Sequence, residues 1–463
     1  MTLSRREFLI RSGCSALSVA ALASGVDRFG LVQALAQGTT YKALVCIFLG
    51  GGNDGNNLVV PLDAAGYAAY SSVRSAAGLA IAQASLLPIT PKSIGKDFGL
   101  HPSLVDIHPL FANGKLALVT NVGPLIQPLS KQDYLSGAPR PFQLFSHSDQ
   151  IAQWQTSIST GQSSTGWGGR VADTFPVSPS GYPLITALAG GVFTRGQFTS
   201  PLTVAPAPTA LNRLLVLNGF GTAADEQARL SAMNYLRTID GSVQLVGAES
   251  KIMQKALDIG ASLNADPALS TVFPNTTLGN QLKQVAKLIK FNLNSSVPAL
   301  SRQIFFCSLG GFDTHQGQVN TQASLLTQVG AAMKAFYEAT VELQVEQQVA
   351  TFTLSDFGRT FQPAGSAGAV GSDHAWGSHH LVMGGSVVGG DFYGVPGING
   401  AVFPTLQLGG PDDTDNRGRW IPTTSIDQYA ATLANWYGLA PTDRAAVFPN
   451  LSKFATSNLG FMG

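Results

Sequence analysis

Largely apolar runs, each followed by a polar or glycine-rich loop, recur along this chain. They occupy residues 43–49, 115–121, 304–309 and 349–354, and the first of them is uninterrupted. A run without polar alternation is typical of a strand buried on both faces, as in the parallel sheet of an α/β protein. Ligand sites in such sheets form at the carboxyl ends of the strands. The sequence therefore predicts an α/β fold with its candidate site in the loops that follow these strands.

Helical periodicity separates the apolar runs. Residues 223–293 repeat Ala, Leu, Met, Gln and Lys at three-to-four spacing, which predicts several helices with breaks near Asp240 and Asp266. A long helical pattern over 319–346 returns the chain to the run at 349–354, as a right-handed crossover would. An amphipathic helix is predicted over 426–436, with Asp427 as a helix-start residue. The crossover predicts that the ends of the last two strands open on one edge.

The loops after the strands carry carboxylates and imidazoles. The first is GGGNDGNN over 50–57, where glycines permit a sharp turn and Asp54 offers an oxygen at a strand end. The alternatives for this loop are a simple turn and a nucleotide-binding loop, the second with only a weak sequence signal. Oxygen and imidazole ligands together suit Zn, Mn, Fe or Ni better than an all-oxygen Ca site. The other candidate ligands are Asp313 and His315 after the third strand, and Asp356, Asp373, His374, His379 and His380 in or after the loop that follows the fourth.

The segment SHSDQ, residues 146–150, precedes a helical pattern. A serine there is often only a helix N-cap. The same position suits a nucleophile, because a helix N-terminus stabilises an anionic oxygen. Ser146 is therefore the first candidate nucleophile and Ser148 the second, with His147 between them as a further catalytic candidate.

The amino terminus has the pattern of an export signal. Arg5 and Arg6 form a twin-arginine pair, an uncharged segment covers residues 12–26, and Ala34 and Ala36 fit a signal-peptidase site. We expect cleavage after Ala36, which leaves one domain over 37–463. The twin-arginine translocase and signal peptidase are the expected partners, and the periplasm or the exterior is the expected location. No apolar stretch after the leader is long enough to span a bilayer, so the mature protein should lack a transmembrane segment.

Composition excludes one class of partner. The net charge is +1 and 12% of residues are charged, so no basic face for nucleic acid is expected. Two cysteines of the mature chain, Cys46 and Cys307, lie inside apolar runs and are interpreted as small core residues. If their strands are neighbours, a disulfide between them is the alternative.

The four loop motifs, GGGNDGNN, SHSDQ, GGFDTH and SDFGRT with its GSDHAWGSHH tail, together with the twin-arginine leader, resemble the DUF1501 family of exported proteins. This family has no assigned function and is related to the alkaline phosphatase and sulfatase superfamily. The likeness extends over nearly the whole mature chain. It implies an α/β, alkaline-phosphatase-like fold with a mainly parallel central sheet flanked by helices and a helical insertion at about 223–293.

The resemblance also implies a site with one or two divalent metal ions, Zn, Mn, Fe and Ca all being open, and a serine nucleophile. The implied ligands are Asp54 in the first loop, Asp313 with His315 for one ion, Asp356 with His374 for the other, and His379 or His380 as the late histidine. The chain departs from the superfamily pattern because Asp313 and His315 are two apart and Asp356 is followed by Phe357. Asp373 with His374 could supply the missing Asp-His pair.

The function implied is an exported metal-dependent hydrolase of phosphate or sulfate esters, acting on a small-molecule or glycan ester. A different class of function stays open, namely a non-catalytic exported binding or assembly protein that keeps the fold. An oxidoreductase or isomerase on the same scaffold is a third, weaker alternative.

Overall fold

The computed structural model describes residues 41–176, 183–214, 222–239, 244–263, 265–294, 300–365 and 369–463. Residues Ala43–Gly463 form one compact unit. The predicted leader, residues 1–36, lies outside the described residues. Among the residues described, no helix is both long enough and apolar enough to cross a bilayer.

Strands build a large mixed sheet and a small one. The strands of the described residues are β1 (Lys42–Gly50), β2 (Val59–Pro61), β3 (Leu87–Ile89), β4 (Phe98–Leu100), β5 (Leu116–Gly123), β6 (Ile185–Ala187), β7 (Leu202–Thr203), β8 (Arg302–Gly310), β9 (Val349–Ser355), β10 (Ser378–Gly384), β11 (Phe392–Tyr393) and β12 (Thr424–Ser425). The large sheet has the order β11-β5-β10-β9-β1-β8-β6-β7, with β12 also paired to β5. The small sheet has the order β2-β4-β3.

The large sheet is mostly parallel. Strand β1 runs parallel to β9, with Leu44 opposite Ala350, and β6 runs parallel to β8 and β7. Strand β10 runs antiparallel to both of its neighbours, β9 and β5. Residues of β1, β5 and β9 are almost all buried, which explains their largely apolar sequences.

Helices flank the sheet. Those of the described residues are α1 (Gly55–Leu58), α2 (Ala64–Arg74), α3 (His108–Ala112), α4 (Lys131–Leu135), α5 (His147–Thr156), α6 (Trp167–Asp173), α7 (Ala224–Leu236), α8 (Gln244–Ser262), α9 (Thr277–Asn294), α10 (Gln318–Glu342), α11 (Ile426–Tyr437) and α12 (Arg444–Val447). Helix α9 packs against α10 and β8. Helices α5, α6, α11 and α12 enclose the main hydrophobic core with β1, β5, β8, β9 and β10. Trp167 is central to this core, because its ring contacts Phe193 edge-to-face at 4.7 Å and lies 5.6 Å from Phe352.

The predicted fold class is confirmed, since the sheet is mixed, mostly parallel and flanked by helices. All four apolar runs are strands, and α7 to α9 occupy the predicted helical segment. The crossover helix α10 ends at Glu342, four residues before the predicted end. Cys46 and Cys307 are buried free thiols, as expected of core residues. His379 and His380 lie after the loop at the start of β10, where their flanking residues are buried as well.

Asp427 begins a buried helix rather than an exposed one. It follows the N-cap Ser425 by two residues in α11, and its side chain is buried. Burial raises its pKa to about 7, and the positive charge of Arg170 opposes this shift only in part. A buried carboxyl of this kind is neutral at mildly acidic pH and charged above neutrality.

This shift predicts that stability falls as pH rises. Between the unfolded pKa of about 3.9 and the folded pKa, the folded state keeps a proton that the unfolded state releases, so rising pH favours unfolding. We expect the wild type to lose about 2 kcal/mol more of its free energy of unfolding than Asp427→Asn between about pH 5 and about pH 8. Urea denaturation across this range measures the difference. Glu338→Gln, at an exposed position of α10, is the control, and parallel curves for wild type and Asp427→Asn would contradict the prediction.

Candidate metal centre

The ends of β1 and β9 are joined at the predicted site edge. Ser355 Oγ accepts a hydrogen bond from Asn53 N at 2.9 Å and donates one to Leu49 O at 2.6 Å. Gly51 N donates to Asp356 Oδ1 at 2.9 Å. The loop after β1 therefore fixes the position of the carboxylate that follows β9.

Two glycines allow the loop after β1 to pass close to the loops after β8 and β9. Gly51 and Gly52 have φ values of +113° and +87°. A Cβ atom on Gly51 would lie 2.3 Å from Asp313 N, and one on Gly52 would lie 2.6 Å from the Phe357 ring. Only residues without a side chain fit this path, which explains the glycine run and brings the loop after β8 close to the loop after β1.

Three side chains from distant segments converge beside these loops. His147 at the start of α5, Asp313 after β8 and His374 before β10 each place one ligand atom within 4.8 Å of the others. The Nε2 atoms of His147 and His374 both lie 3.4 Å from Asp313 Oδ1. The two imidazole rings meet edge-to-face, with centroids 4.3 Å apart. The three residues form a group that could hold a metal ion.

A third imidazole adjoins this group. His315 Nε2 lies 3.1 Å from Asp313 Oδ1 and 2.9 Å from His374 Nε2. Three imidazole nitrogens are therefore directed at one carboxylate oxygen. We call His147, His315, His374 and Asp313 the imidazole cluster.

Each imidazole of the cluster has its other nitrogen held by an oxygen. His147 Nδ1 is 2.7 Å from Asp356 Oδ2, His315 Nδ1 is 3.0 Å from Asp373 Oδ1, and His374 Nδ1 is 2.8 Å from Phe145 O. A carbonyl oxygen can only accept, so His374 Nδ1 carries the hydrogen and its Nε2 has a free lone pair. Carboxylates acting as acceptors give the same tautomer at His147 and His315. This arrangement of an oxygen behind each imidazole is typical of metal-ligating histidines.

The spacing of three members of the cluster fits one divalent cation. Ligand atoms about 2.0–2.2 Å from a tetrahedral zinc-type ion lie about 3.3–3.6 Å from one another. The Nε2 atoms of His147 and His374 lie 3.4 Å from Asp313 Oδ1, within this range, whereas the distances from His315 Nε2, 2.9 and 3.1 Å, are shorter. Two nitrogen lone pairs at 2.9 Å repel unless a cation or a proton lies between them. Three imidazoles and one carboxylate suit Zn, Mn or Fe better than the oxygen-seeking Ca²⁺.

Charges around the cluster shift its pKa values. Burial tends to raise the pKa of Asp313, but Arg359, whose Nη2 lies 2.5 Å from Asp313 Oδ1, reverses this, so the pKa is below its usual value. The hydrogen bond to Asp356 raises the pKa of His147, and burial opposes it. Burial lowers the pKa of His374. His374 is therefore the more readily available as a neutral ligand, and His147 the more readily protonated.

Asp54, the predicted first-loop ligand, lies outside the imidazole cluster. It caps α1 and forms a fully buried ion pair with Arg74, whose Nη1 lies 2.6 Å from Asp54 Oδ2. Gln318 Nε2 donates to the same oxygen at 2.5 Å. Its carboxylate is thus held by an arginine and an amide.

His379 and His380 also lie away from the cluster. His379 Nδ1 accepts a hydrogen bond from Asn121 N at 3.1 Å, so the ring hydrogen is on Nε2 and that atom has no lone pair for a metal. Its ring stacks on Phe403, and the ring of His380 packs against Trp154 with centroids 4.6 Å apart. Burial lowers the pKa of both to about 3. They are neutral core residues of β10.

Asp356 and Asp373 contact Nδ1 atoms of the cluster, on the side of the rings away from Asp313. Asp356 holds His147, and Asp373 holds His315 while receiving Arg417 Nη2 at 2.6 Å. Burial would raise the pKa of Asp373, but Arg417 holds it below its usual value. Neither carboxylate belongs to the group of convergent ligand atoms, so their contribution is to orient the imidazoles.

The candidate nucleophiles are directed at another carboxylate. Ser146 Oγ donates to Asp149 Oδ2 at 2.6 Å, and Ser148 Oγ lies 3.2 Å from both that oxygen and Ser146 Oγ. Between them, His147 enters the imidazole cluster. The imidazole of this motif therefore belongs to the candidate metal site, while the catalytic role of either serine stays a prediction.

Arg359 and the Phe145 carbonyl were missed by the sequence reasoning. Arg359 has a fully buried side chain that binds Asp313 and four backbone carbonyls. An arginine three residues after Asp356, inside the loop motif, was the available signal. Phe145 has a φ of +71°, and no sequence pattern indicates that such a turn presents its carbonyl to His374.

Comparison with known proteins gives a family and several solved structures of low similarity. No curated protein matches the chain by sequence. One similar solved structure is the PsFucS1 sulfatase from Pseudoalteromonas sp., at 7% identity and TM-score 0.30, with 78% of this chain and 66% of that chain covered. Another is Ps i-CgsB in complex with k-i-k-neocarrahexaose, at 9% identity and TM-score 0.32, with 91% and 74% covered. A third is the phosphonate monoester hydrolase of Agrobacterium radiobacter, at 11% identity and TM-score 0.29, with 86% and 74% covered.

The family is established by sequence. Residues 41–397 match the profile described as "Protein of unknown function (DUF1501)". The match contains every member of the imidazole cluster and ends before Arg417. The family predicted from the loop motifs is thereby confirmed, and this chain belongs to the DUF1501 family.

Proposed function

We propose that this protein is an exported, metal-dependent hydrolase of phosphate or sulfate esters. The observation that carries the proposal is the imidazole cluster, in which three Nε2 atoms are directed at Asp313 Oδ1 and each Nδ1 is held by an oxygen. Export through the twin-arginine translocase to the periplasm or exterior, with removal of residues 1–36, is part of the proposal and is supported by the leader sequence.

His147, His374 and Asp313 would hold the ion, with His315 adjoining them. When bound, a divalent ion would neutralise charge on the ester oxygens and lower the pKa of a coordinated water. Asp356, Asp373 and the Phe145 carbonyl keep the imidazoles in the tautomer with Nε2 free. The tautomer and orientation of the ligands are thus set before any ion or substrate enters.

The site is open to a substrate on the side of Asp313. The Asp313 side chain is 47% exposed and that of His315 is 42% exposed, whereas Arg359 behind them is fully buried. Arg417 is half-buried and pairs with Asp373 beside this opening. An arginine side chain suits an anionic ester, which is the class that phosphate and sulfate esters share.

The proposal is tested by metal analysis and by turnover on the same preparation. Protein matured through the twin-arginine route should contain a divalent transition metal and should hydrolyse aryl phosphates or aryl sulfates in a chelator-sensitive way. Restoring the metal after chelation should restore turnover. Metal below about 0.1 equivalent together with no chelator-sensitive turnover would sink the proposal and favour a non-catalytic binding or assembly protein.

A further inference from the structure

We infer that this site takes one divalent cation and not two, because Asp54 and Asp356, the carboxylates that a second ion would need, already have both of their oxygens engaged by other groups. The inference rests on the proposed metal binding. It goes beyond it, since the superfamily resemblance leaves one or two ions open and implies Asp54, Asp356 with His374, and His379 or His380 as ligands besides Asp313 and His315.

The first carboxylate is unavailable to a metal. Both oxygens of Asp54 are engaged by Arg74, at 2.6 Å and 3.2 Å, in a pair with no exposed side-chain surface. Asn56 N also donates to Oδ1 at 3.1 Å. A cation entering here would have to displace a buried guanidinium, which would then lie in a buried site without a counter-charge.

Arg359 occupies the space between the strand-end loops. Its guanidinium donates to the carbonyls of Gly51, Gly52, Phe312 and Ser372 at 3.1 Å each, and to Asp313. These carbonyls belong to the loops after β1 and β8 and to the segment that leads to His374. Arg359 is therefore a permanent cation that fixes all three loops, and no mobile ion is needed for that purpose.

The remaining groups supply ligands for one ion only. His379 offers no nitrogen lone pair on Nε2, because its Nδ1 accepts from Asn121 N. Asp356 receives Gly51 N on one oxygen and the His147 ring on the other. Among the described residues, the convergent ligand group contains His147, Asp313 and His374, with His315 adjoining it.

The net charge of the site also favours one ion over two. The pairs of Asp54 with Arg74 and Asp373 with Arg417 are neutral, and Arg359 offsets one of the two charges on Asp313 and Asp356. A net charge of about −1 then remains, which one divalent ion changes to about +1 and two would change to about +3. A part-buried site disfavours the larger charge, and the smaller one suits an anionic ester.

The experiment counts ions on the full exported chain with Mn²⁺ as the probe. Elemental analysis after dialysis should give about one Mn²⁺ per chain, and electron paramagnetic resonance should show an isolated ion. His374→Ala should lose it. His379→Gln and the double variant Arg74→Met/Asp54→Leu should keep one equivalent, since neither removes a ligand.

Two ions per chain, a magnetically coupled Mn²⁺ pair, or loss of an equivalent in His379→Gln would overturn the inference. Two ions with turnover would overturn it and leave the proposed hydrolase intact. One ion with no turnover on any ester would leave the inference standing and remove the proposed function. Absence of any bound ion would overturn both.

Discussion

Replacement of Arg74 by methionine is expected to lower the free energy of unfolding by about 3–5 kcal/mol, the usual cost of removing one partner of a buried ion pair. Every donor of this guanidinium is used. It binds both oxygens of Asp54, the Asn57 side chain, and the carbonyls of Thr360 and Phe361. The variant would leave Asp54 charged, buried and without its counter-charge.

The double variant Arg74→Met/Asp54→Leu separates the loss of the pair from the loss of one partner. Apolar replacement of a whole buried pair is often close to neutral, so the double variant should recover most of the loss. Chemical denaturation measures both. Lys334→Met, which removes an exposed pair with Glu338 on α10, is the control and should change stability by less than about 1 kcal/mol. A loss in Arg74→Met no larger than that of the control would contradict the prediction.

His147→Ala is expected to weaken metal binding by more than about 100-fold, since loss of an orienting group alone typically costs 10–100-fold. His147 places Nε2 3.4 Å from Asp313 Oδ1 and is held by Asp356. Asp356→Asn should lie in the 10–100-fold range, because it keeps the imidazole but removes the charge behind it. At a fixed metal concentration, turnover should fall more in His147→Ala than in Asp356→Asn.

Titration of metal-free protein with Zn²⁺ against a competing chelator measures these affinities. His108→Ala is the matched control, because His108 is an exposed imidazole that hydrogen-bonds only the Pro88 carbonyl, and it should bind as the wild type does. The melting temperature of each metal-free variant shows that it is folded. Equal affinities for His147→Ala and His108→Ala would remove His147 from the site and contradict the imidazole cluster as a metal centre.

The strands and the site edge could be predicted because their signal is local. Each buried strand has a largely apolar sequence. Within a few residues of such a strand, or of the loop that follows it, lie Asp313, His315, Asp356 and His374. Proximity to a strand end is enough to place such residues at one edge of a parallel sheet.

The contacts that select among these residues are long-range, and the sequence does not show them. Asp54 has the same local pattern as Asp313, yet it is paired with Arg74 twenty residues later, on α2. His379 has the same residue type as His374, but the strand that contains it buries its ring against Phe403. Whether a carboxylate or imidazole binds a metal thus depends on a partner that only the folded chain supplies.

The position of β1 in the sheet constrains when this protein can finish folding. Among the described residues this strand comes first, yet it lies between β8 and β9, and its partner residues in β9 are about 300 residues downstream. During synthesis β1 therefore leaves the ribosome long before either neighbour exists, and its apolar edges stay without partners until the chain is largely complete. Pairing at such separation is slow and exposes the chain to aggregation. A route that exports proteins only after they have folded, as the twin-arginine leader predicts, would give this late closure time to occur in the cytoplasm.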